Sequence, residues 1–152
     1  MANFKKSKIK KFYIGVDVGG TKISAGLLDP QGHILLRTKH PVPLGATPNQ
    51  VGRQIEGVVK ELLDESGISA RALQGIGAGV PGIVDPKTNK ILVTPNLRLA
   101  GYPLAQRLKK LYRTKVALGN DVNLGTMAEK WVGVGKHVEH LMGISLGSGV
   151  GG

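Results

Sequence analysis

Apolar positions come in short blocks at the start of the chain and then change to a helical period. Residues 12–18, Phe12-Tyr13-Ile14-Gly15-Val16-Asp17-Val18, read as a buried strand. Residues 22–28 form a second, and residues 33–39 a third after the turn Asp29-Pro30-Gln31-Gly32. Short links between them predict an antiparallel meander. Val51, Ile55, Val58, Val59, Leu62 and Leu63 then recur at helical spacing. Thr47 is placed as N-cap, Pro48 as first helical residue and Gly67 as C-cap. Residues 73–80 return to a strand, residues 85–90 turn, and residues 91–94 are extended. A second helix begins at Tyr102-Pro103, with Leu104, Leu108 and Leu111 on one face. Residues 115–118 are a strand, about 124–132 a third helix, and 141–146 a last strand. Strand–helix alternation here predicts right-handed crossovers and a parallel part of the sheet.

The densest chemistry lies between the first two strands, at Asp17-Val18-Gly19-Gly20-Thr21-Lys22. Glycines bring backbone N–H groups close to a ligand and allow positive φ. Such a turn can hold a phosphate, with a hydroxyl from Thr21 and a cation from Lys22. Asp17, at the strand end, could hold a metal ion beside it, directly or through water. The order Gly-Thr-Lys followed by a strand is not a P-loop, which needs Gly-Lys-Ser/Thr opening a helix. An ordinary hairpin with a Gly-Gly turn remains the plain alternative. Gly77, Gly79 and Gly82 match dinucleotide-binding spacing, but Pro81 and Asp85-Pro86 offer no helix to cap a pyrophosphate. Asp121 falls at a strand-to-helix junction, where open α/β sheets bind ligands and where a helix cap would also fit. Gly147-Ser148-Gly149-Val150-Gly151-Gly152 is a second glycine-rich turn, so the chain is expected to be part of a longer protein.

Composition narrows the choices. A chain of 152 residues that is 41% hydrophobic can bury a core. With no cysteine there is neither a disulfide nor a thiolate zinc site within this chain, consistent with a reducing compartment. No apolar run is long enough to span a membrane and no secretory signal is evident, so a cytoplasmic location is expected. The formal net charge is +11, but five lysines sit in residues 1–11, taken as a loose basic arm. The rest is dispersed and lacks interleaved aromatics, which disfavours nucleic acid as a partner.

Together these segments resemble the actin-like ATPase and sugar-kinase superfamily and, within it, the ROK family of bacterial glucokinases and their relatives. Asp17-Val18-Gly19-Gly20-Thr21-Lys22 is similar to that family's first phosphate motif. Gly79-Val80-Pro81-Gly82 resembles its sugar-side turn, and Thr94-Pro95-Asn96-Leu97 the segment whose Asn touches sugar hydroxyls. Asn120-Asp121-Val122-Asn123 resembles its catalytic segment. Gly147, Ser148 and Gly149 fall in a second phosphate motif, with Ser148 where Thr is usual. The resemblance implies an α/β, ribonuclease H-like N-terminal lobe with a mixed five-stranded sheet flanked by helices. Residues 12–119 would form that lobe and residues 120–152 the start of a second. It further implies ATP-dependent phosphorylation of a hexose 6-hydroxyl, glucose first among candidates, with Mg²⁺ on the phosphates. Asp121 would be the base, with Gly79, Asn96 and Asn120 at the sugar. Gly19, Gly20, Thr21, Lys22, Gly147, Ser148 and Gly149 would lie at the nucleotide, and Asp17 at the metal. A homo-oligomer is expected, and this chain alone is expected to be inactive. The alternatives are a non-catalytic sugar- or nucleotide-binding module and a regulator of the repressor type. The second is disfavoured because eleven residues precede the first strand.

Overall fold

The computed structural model describes residues 11–95, 97–146 and 150–151. Strands β1 (Phe12–Val18), β2 (Lys22–Leu28) and β3 (Ile34–Pro41) form the antiparallel meander. Helix α1 (Pro48–Ser66) crosses back to β4 (Leu73–Val80), which runs parallel to β1. A small hairpin of β5 (Ile83–Asp85) and β6 (Lys90–Val93) leads to α2 (Leu104–Tyr112). Strand β7 (Lys115–Asn120) then joins parallel to β4, and α3 (Asp121–Trp131) follows at once. The five-stranded sheet has the order β3-β2-β1-β4-β7. Strands β8 (Ser145–Leu146) and β9 (Val150–Gly151) pair separately.

The two faces of this sheet are built differently. Phe12, Ile14, Val16 and Val18 of β1, with Ile23, Ala25 and Leu27 of β2, are buried on one face. Val51, Ile55, Val58, Val59 and Leu62 of α1 and Leu104 and Leu108 of α2 join them in the same core. Alternation along β1 and β2 sends every second residue into this layer. Helix α1 is well framed: Thr47 and Gln50 make a reciprocal capping box, and Gly67 closes the helix at φ 66°. Leu62 is fully buried in this layer. Leu62→Ala is therefore expected to destabilise the fold by about 2–5 kcal/mol, measured by urea unfolding.

The opposite face carries Gly15, Asp17, Ser24, Gly26, Gly77 and Gly79, and α3 lies across it. A Cβ added at Gly119 would come within 3.0 Å of Leu124 of α3, and one at Gly79 within 3.3 Å of the Asp121 Cα. At its other end α3 places Trp131 against Gly32 in the turn between β2 and β3. The missing side chains are what let α3 approach the strands.

Four details differ from the sequence reading. Strand β3 starts at Ile34 and runs on to Pro41, because residues 40 and 41 pair with Ile23 and Lys22. Helix α3 starts at Asp121, three residues earlier than expected, because the Asn120 side chain accepts from Asn123 N at 3.0 Å and nucleates the first turn there. Leu111 is 54% exposed. Tyr112 closes that end of α2 instead, packing on the core and donating its hydroxyl to the Glu56 carbonyl at 2.8 Å. The last predicted strand shrinks to Ser145–Leu146, the stretch that has β9 to pair with.

Candidate functional site

Asp17, Gly79 and Asn120 come together because β1, β4 and β7 are neighbouring parallel strands in register. Asp17 lies opposite Gly79, Gly79 opposite Gly119, and Val80 opposite Asn120. All three strands end at the same edge, the position where open α/β sheets bind ligands. Asp121 opens α3 directly above this edge, and Asp17 and Asp121 both line two adjoining cavities of about 960 and 630 Å³. The larger cavity lies between the glycine-rich face and α3. The smaller is bounded by α3 and residues 141–145.

Each side chain has a defined local role. The Asn120 Oδ1 caps α3, while its Nδ2 donates to the Gly82 carbonyl at 3.0 Å. An amide has two donors and two acceptor lone pairs, so one donor and one lone pair of Asn120 stay available to a ligand. Gly82 has φ 113°, and a Cβ there would overlap the Val93 carbonyl of β6. This backbone is sterically open to glycine alone, and it fixes where the Gly82 carbonyl meets Asn120. Asp121 accepts a hydrogen bond from its neighbour's amide, Val122 N, through Oδ1 at 3.0 Å. Its Oδ2 is the oxygen left for chemistry.

The Asp17 carboxyl is held above its ordinary value. Desolvation in the floor of the concave edge is the first cause, the negative charge of Asp121 the second, and Lys22 opposes both. The residue keeps contact with solvent, so the carboxyl is partly desolvated and the charge of Asp121 adds to that effect. A carboxyl whose folded-state pKa is raised contributes stability below its unfolded pKa and loses it as pH rises through the folded value. Asp17→Asn is accordingly expected to raise the melting temperature at pH 7 and to leave it unchanged near pH 3. Thermal denaturation at the two pH values checks this.

The turn from Gly19 to Lys22 is a tight one, closed by Gly19 N donating to Lys22 O at 2.8 Å. Neither Gly19 nor Gly20 takes a positive φ, so the turn does not use the freedom that glycine allows. Gly19 is required by space instead: a Cβ would sit 3.1 Å from the Lys22 carbonyl. Gly20, Thr21 and Lys22 are exposed at the tip, next to Asp17 but outside both cavities. Gly77 and Gly79 end in the β5–β6 hairpin with no helix after them, so the dinucleotide reading fails on structure as well. Asn96, Gly147, Ser148 and Gly149 lie outside the described residues.

Ser24, Arg37 and Lys39 also face the larger cavity, and none was singled out from sequence. The signal was available in principle: they occupy the alternate positions of β2 and β3 that point away from the apolar core. Among the described residues no group of three or more His, Asp or Glu side chains is arranged to hold a metal ion on its own.

The sequence model described as the ROK family matches residues 13–152. The glucokinase of Thermotoga maritima is 33% identical over 140 residues, which cover 91% of this chain and 43% of that protein. The xylose repressor of Caldicellulosiruptor bescii is 27% identical over 138 residues, 91% of this chain and 35% of that protein. The crystal structure of a ROK family glucokinase from Streptomyces griseus, in complex with glucose and AMPPNP, superposes with a TM-score of 0.75 at 30% identity. It is covered to 43% by 92% of this chain. The chain thus spans less than half the length of these relatives.

Proposed function

From the premise that this chain belongs to the ROK family and has its actin-like ATPase fold, we propose that it is the N-terminal lobe of a sugar kinase. In this reading the whole protein transfers the γ-phosphoryl group of ATP to a hexose 6-hydroxyl, with glucose as first candidate. The observation that carries the proposal is the convergence of Asp17, Gly79, Asn120 and Asp121 at one edge of three parallel strands. The lobe boundary between residues 119 and 120 and a homo-oligomeric, cytoplasmic enzyme belong to the same proposal. Within the described residues no helix is long and apolar enough to cross a membrane.

Asp121 Oδ2 accepts the proton of the attacking hydroxyl, while the Val122 amide on Oδ1 fixes the carboxylate's direction. Asn120, held by its own cap and by the Gly82 carbonyl, offers its remaining donor and lone pair to sugar hydroxyls. Gly79 leaves room for Asp121 to sit directly over the β4 end, where the sugar would meet it. Gly19 shapes the turn through its own N–H bond to the Lys22 carbonyl, and Gly20 and Thr21 present amides, Thr21 a hydroxyl and Lys22 a cation to phosphate. The crowding of Asp17 against Asp121 favours positive charge at this edge, which fits a divalent cation held by Asp17. Such a cation, Mg²⁺ with ATP, supplies neutralisation of phosphate charge. Phosphoryl transfer asks mainly for positioning and charge neutralisation, and these residues supply the positioning.

A regulator that binds sugar without phosphorylating it is the second reading, favoured by the match to a xylose repressor over 91% of the chain. A coupled assay of the full-length protein with glucose, other hexoses, ATP and polyphosphate separates the two. ATP-dependent turnover with a hexose supports the kinase. Sugar binding by calorimetry without turnover supports the regulator.

A further inference from the structure

On the core side of the sheet, three side chains meet between β3 and α1, and none belongs to the site described above. His40 Nε2 donates to Glu61 Oε2 at 2.7 Å, and Thr38 Oγ1 donates to Glu61 Oε1. Thr38 Oγ1 also lies 3.1 Å from His40 Nε2. Since a carboxylate can only accept, Nε2 carries a proton in this arrangement. Two helical turns earlier, at the same face of α1, Gln54 Nε2 donates to the Pro41 carbonyl at 2.6 Å. The next residue, Val42, donates its N–H to the Thr21 carbonyl at 2.8 Å. Three consecutive residues at the end of the edge strand and just past it are thus tied down: His40 and Pro41 to α1, and Val42 to the tip of the Gly19–Lys22 turn.

The Val42–Thr21 bond carries the β2–β3 pairing one residue further, from Lys22–Pro41 into the turn. The turn has one internal bond among the described residues, Gly19 N to Lys22 O, and its tip is otherwise exposed. β3 pairs with β2 on one side, His40 with Ile23 and Pro41 with Lys22, and has no strand on the other. Helix α1 is rigidly set in the core and supplies a second anchor through Glu61 and Gln54. The Glu61 carboxyl is held below its ordinary value, first by the Thr38 hydroxyl and then by His40, against an opposing effect of burial. Thr38 and His40 are thus the polar partners that face it.

We infer that the His40–Glu61–Thr38 cluster is a positioning device: it fixes the end of β3, and through Val42 the Thr21 carbonyl, so that the Gly19–Lys22 turn presents a preformed set of amides. This rests on the proposal that the turn receives phosphate; the clamp itself can be tested without that. Helix α1 holds the strand, the strand holds the turn, and no side chain of the cluster touches substrate.

The test is backbone amide exchange by nuclear magnetic resonance on this chain, in the wild type and in Glu61→Ala, His40→Ala and His40→Gln. Amide exchange at Val42 is expected to accelerate tenfold or more in the two alanine variants. Gln retains an N–H donor, so His40→Gln is expected to restore most of the protection. Amides in the centre of β1 and β4 should change much less. Val58→Ala, a core variant of α1, serves as the control for general loss of stability. Unchanged Val42 exchange in Glu61→Ala, or acceleration spread evenly over the sheet as in Val58→Ala, overturns the inference. Should the alanine variants fail to fold, Gln54→Ala asks the same question at the Pro41 carbonyl. A parallel titration of the full-length wild-type protein with Mg²⁺-AMPPNP follows the amides of Gly20 and Thr21. If they do not shift, the phosphate reading of the turn fails while the clamp result stands by itself.

Discussion

In the full-length protein, Asp121→Asn is expected to lower turnover by about a hundredfold or more, the range for loss of a general base. Asparagine keeps the size of the side chain and can still accept from Val122 N. It cannot take a proton near neutral pH. The effect on stability is expected to be small because two contributions oppose. An acidic residue in the first turn of α3 is favoured by the helix dipole, by about 0.3–1 kcal/mol. Against this, removing the charge relieves its repulsion of Asp17. Asn120, not Asp121, is the residue that caps the helix, so the cap survives. Sugar affinity by calorimetry should therefore stay near the wild-type value while kcat falls. Near-normal turnover in Asp121→Asn would remove the base from this position and leave the kinase proposal resting on the glycine turns.

Gly82→Ala is the second large effect expected. At φ 113° an alanine is strained, and its methyl would collide with the Val93 carbonyl. Strain of this kind amounts to about 1–3 kcal/mol where the backbone holds, and the β5–β6 hairpin must otherwise move. Movement displaces the Gly82 carbonyl, the acceptor for Asn120 Nδ2. A lost hydrogen bond of that sort is worth about 0.5–1.5 kcal/mol, or about threefold to tenfold in affinity. The expected result is a rise in KM for sugar larger than any fall in kcat. Gly57→Ala, in α1 and away from both cavities, is the control, since a Cβ there meets nothing within 4 Å and φ is not positive. Equal sugar KM in Gly82→Ala and wild type would show that Asn120 does not depend on this turn.

Much of the fold was readable because the local signals agreed with one another. The bounds of β1, β2 and β4 follow from apolar runs ended by glycine, proline or aspartate. Thr47, Pro48 and Gly67 frame α1 by the chemistry of capping alone. What escaped depended on tertiary neighbours. Leu111 fits the helical period of α2, yet Tyr112 reaches Glu56 across α1 and takes its place. A cap at the 120–121 junction was legible in the residue types, but that Asn120 accepts from Asn123 N and so starts α3 at Asp121 was not. At the site, Asp17 and Asp121 stand more than a hundred residues apart in sequence, and register alone joins them. The bond between Asn120 and Gly82, and the cluster of Thr38, His40 and Glu61, leave no periodic trace. Both arise where an element of the fold happens to pass another.

The strand order also sets a timetable. Within the meander, β1 meets β2 across a turn of a few residues, and β2 meets β3 likewise. The parallel half is different, since Ile14 must find Ile76 and then Ile76 must find Val116. Closing such long loops is entropically slower than closing a hairpin. On this ground Asp17 is expected to be ordered with the meander and Asp121 later, when β7 joins the five-stranded sheet. Their mutual repulsion is felt only once β7 is in place, late on the way to the native state. A substitution that relieves it, such as Asp17→Asn, should accordingly slow unfolding while leaving the folding rate nearly untouched. The same edge that gathers charge for chemistry is thus expected to set part of the rate at which the molecule unfolds.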